Sequence, residues 1–374
     1  MQSDWATSNK VRTTEHGIPI RNLWYMLLYA WDAIPIQDRF AADIEDAPSL
    51  QTLLARVLAR CLEQRMRIGL GNDYCTNHSE IPGIRGRVDF SESLKRMSFK
   101  KGRSVCRYSV FSPNVPKNQI IRSLLQRLVQ VGEFGGDSKQ SRNLRTRLAR
   151  LVYQMPSVDL IDLDAAMVSR AQSQRHDPDY RLMLAICALL IQRQMPTEER
   201  GQTFAPNLPW ESFVLHKVYE TFVARFFQHH LEDWRVTAQK HLKWPVERPS
   251  DYIPKMIPDL IMEHAPTGCR IVLDTKFTKN VLVTNLSNNE RFSSGDLYQI
   301  YAYLRSQENV SVSTPKKCTG ILLYPTVNRS VSEAIRLQGY TFRWETVNLA
   351  QPWDKIEAAL LQLPIRCLVP MGVG

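Results

Sequence analysis

Residues 257–277 read IPDLIMEHAPTGCRIVLDTKF. Two apolar runs flank a break holding Pro266 and Gly268, which predicts two strands, over 256–263 and 270–276, joined by a turn near 266–268. Period-two alternation places Asp274 and Lys276 on one face of the second strand. Asp259 opens the neighbouring strand, and antiparallel neighbours lie about 5 Å apart, so the three side chains can converge. A helix over 210–229 precedes this hairpin, with Phe213, Val214, Val218, Phe222, Val223 and Phe226 as its apolar residues, and a strand follows it over 234–240. Beyond the hairpin come a helix over 295–306, strands over 319–324 and 340–347, and a terminal helix over 352–362. The order helix, three strands, helix, strand predicts an α/β (α+β) domain with one central mixed sheet flanked by helices.

The chain is 374 residues long, more than one hydrophobic core usually supports. Upstream, residues 18–32 (IPIRNLWYMLLYAWD) place Leu23, Trp24, Leu27, Leu28 and Trp31 at helical spacing, and residues 50–66 repeat the pattern. Glycines and Pro82 punctuate 68–112, which predicts a small β-rich portion with hairpins. Helical periodicity returns over 118–131, 141–153 and 180–192, the last preceded by Asp177-Pro178-Asp179 as a start signal. Met195-Pro196, Gly201, Pro206 and Pro209 make 194–209 the candidate linker. The expected organisation is a flexible N-terminus over 1–17, a mixed helical N-terminal domain over 18–200 and a C-terminal domain over 201–374.

Hydrophobic residues at 44% and charged residues at 23% exclude a disordered chain. A formal net charge of +11 favours a polyanionic partner, since Lys and Arg attract phosphates. The seven cysteines are scattered and form no CxxC pair, which argues against a disulfide framework or structural zinc and for a reducing cytoplasm. The first ten residues lack an apolar signal core, and the longest apolar stretch, 182–191, is too short to cross a bilayer. The expectation is a cytoplasmic protein without membrane contact.

The hairpin carboxylates suit phosphodiester hydrolysis. Mg²⁺ takes one or two carboxylates together with water and phosphate oxygens, so Asp259 and Asp274 are the candidate metal ligands, with the Thr275 backbone carbonyl as a further one. Lys276 would position or help deprotonate the attacking water and stabilise developing negative charge. Asp274 lies in an otherwise apolar strand, where a carboxylate is costly without a task. Glu220, in YETFV of the preceding helix, is either a third carboxylate for the metal or an ordinary helix-face residue. Gln299 and Tyr303, four apart on one helix face, either bond substrate or Lys276 or belong to the scaffold. Taken alone, Asp-x-Lys on a strand is more often a solvated surface pair.

Together these residues resemble a known family. IPDLIM (257–262), IVLDTKF (271–277), DLYQIYAYL (296–304), IPIRNLWYMLLYAWD (18–32), GIRGRVDF (83–90) and PKNQIIR (116–122) are similar to the McrC subunit of McrBC-type modified-cytosine restriction systems. The resemblance covers about 18 to 350. It implies a PD-(D/E)xK restriction-endonuclease-like fold in the C-terminal domain, with Asp259, Asp274 and Lys276 as its core, Gln299 and Tyr303 beside them, and Glu220 as a weaker match. It also implies an N-terminal domain that docks on a McrB-like AAA+ GTPase hexamer and stimulates its hydrolysis. The implied substrate is double-stranded DNA carrying modified cytosine, and the implied cofactor is Mg²⁺, with Mn²⁺ substituting. No GxxxxGK[ST] loop occurs in the chain, as expected of the subunit that does not bind nucleotide. Thr278 to Ser294 is longer and more polar than the pattern and reads as a loop near the site. Two further readings stay open: a stand-alone nuclease in DNA repair or phage defence, and a non-catalytic DNA-binding adaptor.

Overall fold

The computed structural model describes residues 13–14, 16–40, 43–44, 47–135, 137–174, 177–192, 210–244, 252–278, 281–284, 290–306 and 318–368. The candidate linker over 194–209 and residues 1–12 of the expected flexible terminus lie outside them. The chain divides into two compact units, Met1–Glu45 with Thr203–Gly374, and Asp46–Gln202. The first helix, α1 (Ile20–Ala30), falls in the same unit as Thr203–Gly374. Ahead of α1, Thr14 is buried, and its hydroxyl accepts the Ile18 N–H at 3.2 Å.

In the unit Asp46–Gln202, α2 (Leu50–Ile68) starts at Ser49, whose hydroxyl accepts the Thr52 N–H, and stops at Gly69, whose φ of 109° no helix tolerates. The expected β-rich portion is an antiparallel sheet in the order β1 (Asp73–Pro82), β3 (Arg103–Ser112), β2 (Arg87–Val88). Gly86 has φ +68°, and a Cβ there would sit 2.4 Å from the Arg107 carbonyl oxygen, so this crossing of strands requires glycine. After α3 (Phe90–Lys95) come α4 (Pro116–Val131), α5 (Ser138–Tyr153), α6 (Ala165–Gln172) and α7 (Pro178–Gln192). The sequence reading did not foresee α3 and α6. Asn118 is wholly buried and pins the core: its amide donates to the Gly71 and Pro113 carbonyls, and its Oδ1 accepts from Tyr180 at 2.6 Å.

The other unit is built on a mixed sheet. α8 (Trp210–His230) leads into β4 (Trp234–Ala238), β5 (Leu260–His264) and β6 (Arg270–Thr275). These three strands are successive antiparallel neighbours, with Leu260 opposite Leu273. After the short ribbon β7 (Leu282–Thr284) and β8 (Glu290–Phe292), helix α9 (Ser294–Arg305) carries the chain over to β9 (Cys318–Thr326), parallel to β6. Strands β10 (Ser332–Leu337) and β11 (Tyr340–Asn348) and helix α10 (Trp353–Leu368) complete the unit, and the sheet order is β10-β11-β9-β6-β5-β4. Every residue of β6 is buried, which is why it reads as a nearly continuous apolar run rather than an alternating one. Val272, Leu322, Tyr324, Phe342 and Trp344 on one face form a core with Ile300, Tyr303 and Leu304 of α9.

Helix α1 packs on α8. Tyr29 sets its ring against Phe222 and Phe226 of α8 at 5.6 and 5.4 Å, and against Trp353 of α10 at 5.8 Å. The Asn22 amide donates to the Leu349 and Gln351 carbonyls, both at 2.8 Å. Segment 278–294, expected to be loop, holds the β7–β8 ribbon. Strand β10 is mostly exposed at the sheet edge and was not foreseen.

Candidate active site

Asp259 stands one residue before β5 and Asp274 one residue before the end of β6, and continuing the Leu260–Leu273 register by one step sets them opposite each other. The Asp259 carboxylate is fixed by Thr275: its Oδ2 accepts the Thr275 N–H at 2.7 Å and the Thr275 hydroxyl at 2.6 Å. Asp274 and Lys276 point to one side of the strand, as alternation requires, and Lys276 Nζ lies 2.6 Å from Asp274 Oδ2. The same ammonium donates to Gln299 Oε1 at 2.6 Å. Gln299 in turn donates to the Tyr303 hydroxyl at 2.9 Å, and that hydroxyl donates to the Ile257 carbonyl at 3.4 Å. Asp259, Asp274, Lys276, Gln299 and Tyr303 therefore meet around the end of the β5–β6 pair, with α9 closing one side.

Glu220 reaches the same region from α8. Its carboxylate accepts a hydrogen bond from the Gln239 side chain, and the Gln239 backbone N–H donates to the Asp259 carbonyl at 3.0 Å. Gln239 adopts φ 51°, a left-handed conformation unusual for glutamine, and through it one residue ties Glu220 to Asp259, just ahead of β5. Sequence reasoning missed Gln239, which follows β4 with no local signal. It also missed Asp296, whose Oδ1 lies 3.7 Å from Lys276 Nζ and whose Oδ2 accepts from the buried Tyr324 hydroxyl at 3.0 Å. His216, a turn before Glu220 on α8, sets its ring against Phe277.

The electrostatics follow from burial. Asp274 is 4% exposed, and burial pushes its carboxyl up to about 6, with the neighbouring Asp259 charge adding to the shift and Lys276 opposing it. Burial, with Asp259 adding to it, pushes Glu220 up to about 7. Burial pulls the Lys276 ammonium down, yet Asp274, Asp296 and Asp259 outweigh it and hold Lys276 above the usual lysine range. Burial lowers His216 and raises the Tyr303 phenol.

The donor set suits a hard cation. Asp274 Oδ2 has the Lys276 ammonium as an ion-pair contact but no hydrogen bond of good angle, so it is a buried oxygen short of a full partner. Both bonds to Asp259 fall on Oδ2, which leaves Oδ1 for a ligand. Among the described residues, no three His, Cys, Asp or Glu side chains are arranged as a ready-made metal cage. Two facing carboxylates are a donor set that a hard, oxygen-seeking cation could use together with main-chain and solvent oxygens.

The fold and this cluster define the class: an α/β protein whose mixed sheet gathers two aspartates and a lysine at the end of a β-hairpin, under a helix bearing glutamine and tyrosine. The family model for the McrBC 5-methylcytosine restriction system component matches residues 7–325, and the chain belongs to that family. All six side chains singled out from the sequence lie inside that range. The chain is 26% identical over 352 residues to the Escherichia coli (strain K12) type IV methyl-directed restriction enzyme EcoKMcrBC, covering 92% of this chain and 97% of the relative. A refined half-complex of a tetradecameric assembly of Thermococcus gammatolerans McrB AAA+ hexamers with bound McrC is similar at a TM-score of 0.50. The match has 14% sequence identity and covers 92% of this chain and 76% of that chain, a likeness of fold.

Proposed function

We propose that the chain is the McrC-like nuclease subunit of its restriction system, a Mg²⁺-dependent endodeoxyribonuclease with a PD-(D/E)xK site. The observation that carries this reading is Asp274: a carboxylate on a fully buried central strand, held 2.6 Å from Lys276 and opposite Asp259. Such an arrangement costs stability unless it serves a ligand. In this reading Asp259, Asp274 and the Thr275 carbonyl hold Mg²⁺, with Glu220 as an outer carboxylate, and Mn²⁺ substitutes. When bound, the ion supplies charge neutralisation at the scissile phosphate and an acidified water. Thr275 keeps the Asp259 carboxylate turned towards the site. Lys276 orients the attacking water and offsets negative charge as the phosphate expands. Gln299 and Tyr303 steer the lysine head group.

The solved Thermococcus assembly, in which McrC is bound to McrB AAA+ hexamers, supports a partner of the same kind for this chain. We assign docking on that McrB-like GTPase to the N-terminal region and cutting to the C-terminal one. The substrate is double-stranded DNA carrying modified cytosine, and the net charge of +11 suits it. The test mixes purified chain, its cognate AAA+ GTPase, GTP, Mg²⁺ and methylated duplex DNA. Cutting is expected only in the complete mixture. Asp274→Asn is expected to abolish it while still co-eluting with the GTPase. Wild-type cutting by Asp274→Asn would remove the site assignment.

A further inference from the structure

We infer that Asp296, anchored by Tyr324, is a positioning residue that receives the Lys276 ammonium when Asp274 turns its oxygen towards a divalent cation. The inference rests on the reading of Asp274 as a cation ligand. Lys276 Nζ sits between two carboxylates, 2.6 Å from Asp274 Oδ2 and 3.7 Å from Asp296 Oδ1. An ammonium and a divalent cation cannot share one carboxylate oxygen closely, because their positive charges repel at that range. A cation that takes Asp274 Oδ2 therefore displaces the ammonium from that oxygen. Its side chain is only 19% exposed, so moving out to bulk water means leaving a largely enclosed position. Gln299 Oε1 remains in contact at 2.6 Å but is neutral and does not replace the lost counter-charge.

Asp296 is built to fill that role. Its Oδ2 accepts from the Tyr324 hydroxyl at 3.0 Å, and Tyr324 is 1% exposed in the middle of the sheet. The tyrosine cannot follow a moving carboxylate, so Asp296 stays put and its Oδ1 keeps facing the lysine. Its own N–H donates to the Ser293 hydroxyl at 3.3 Å, fixing it in the first turn of α9, where a carboxylate is favoured. A shift of about 1 Å would bring the ammonium to the 2.7–2.9 Å of a charge-assisted bond. Lys276 thus has two seats, and Asp296 is the one used while the metal ligands are engaged. Without it, the ammonium stays on Asp274 and competes with the cation.

The experiment is a calorimetric Mn²⁺ titration of the full chain, without partner or DNA, so the readout is binding rather than cutting. Asp296→Asn is expected to weaken Mn²⁺ binding about tenfold at unchanged stoichiometry, about 1.4 kcal/mol. Tyr324→Phe, which keeps shape but frees Asp296, is expected to weaken it by a smaller factor. The distinguishing arm places Asp296→Asn on a Lys276→Met background. With no ammonium to relocate, the effect of Asp296→Asn should vanish there. Wild-type affinity in both Asp296→Asn and Tyr324→Phe, or an equal loss on the Met background, would overturn the inference while leaving the metal site standing. Asp274→Asn separates the two readings: if it binds Mn²⁺ as tightly as the wild type, the metal site itself is wrong.

Discussion

Asp274 carries a cost in the metal-free protein that can be measured. Its folded carboxyl is raised from the ordinary 3.8 to about 6, chiefly by burial. A carboxyl that holds its proton more tightly when folded contributes stability fully below its unfolded pKa, and loses it as pH rises through the folded value. The loss therefore falls between about pH 4 and 6, and above that the chain pays for a buried charge. Asp274→Asn removes the charge, so the variant should be more stable than wild type at pH 7.5, by on the order of 1–3 kcal/mol, and little different at pH 4. Thermal melts at the two pH values in chelator check this, and a variant less stable at pH 7.5 would contradict it. The same shifts govern ligand uptake. Glu220 at about 7 and Asp274 at about 6 must both be ionised to favour a cation. Lowering the pH from 8 to 6 should thus weaken Mn²⁺ binding by roughly tenfold or more, read by calorimetry.

Helix α9 crosses the sheet above Gly320, where an added Cβ would lie 2.7 Å from Ile300 Cγ1 and 3.0 Å from Leu304 Cδ1. This close approach lets Gln299, on the same helix, reach Lys276. Gly320→Val should push α9 outwards, costing about 1–3 kcal/mol of stability and weakening Mn²⁺ binding together. Loss of stability with unchanged metal affinity would show that the helix does not position the site. The β5–β6 hairpin and α9 were legible because two apolar runs around a Pro/Gly break and an amphipathic helix leave strong local signals, and the two-residue spacing of an extended chain put Asp274 beside Lys276. The mostly exposed edge strand β10 has little apolar patterning to reveal it. Asp296 was hidden by its position, since Ser293 followed three residues later by an acid also reads as a helix start. Gln239 was hidden because its part depends on a left-handed backbone turn that no residue type announces.

At the scale of the molecule, tertiary packing joins segments that lie far apart along the chain. Leu23, Trp24, Leu27 and Leu28 of α1 are at most 1% exposed, and α1 lies against α8, far along the chain. A boundary near residue 200 separates the two helices, because an amphipathic helix shows in sequence that it is buried but not against what. The consequence is a prediction about fragments. Residues 201–374 alone would leave the α1-facing side of α8 uncovered, including Phe222 and Phe226, both 0% exposed in the whole chain. Burying one such side chain is worth roughly 1.5–3 kcal/mol, so losing several of these contacts exceeds a typical domain's margin of about 5–15 kcal/mol or consumes much of it. Fragment 201–374 is therefore expected to aggregate or to melt without a cooperative transition. The same fragment joined to residues 13–45 through a flexible Gly/Ser linker is expected to melt cooperatively and to bind Mn²⁺ like the full chain. Cooperative melting of 201–374 by itself would mean that α1 is an accessory to this unit rather than part of its core.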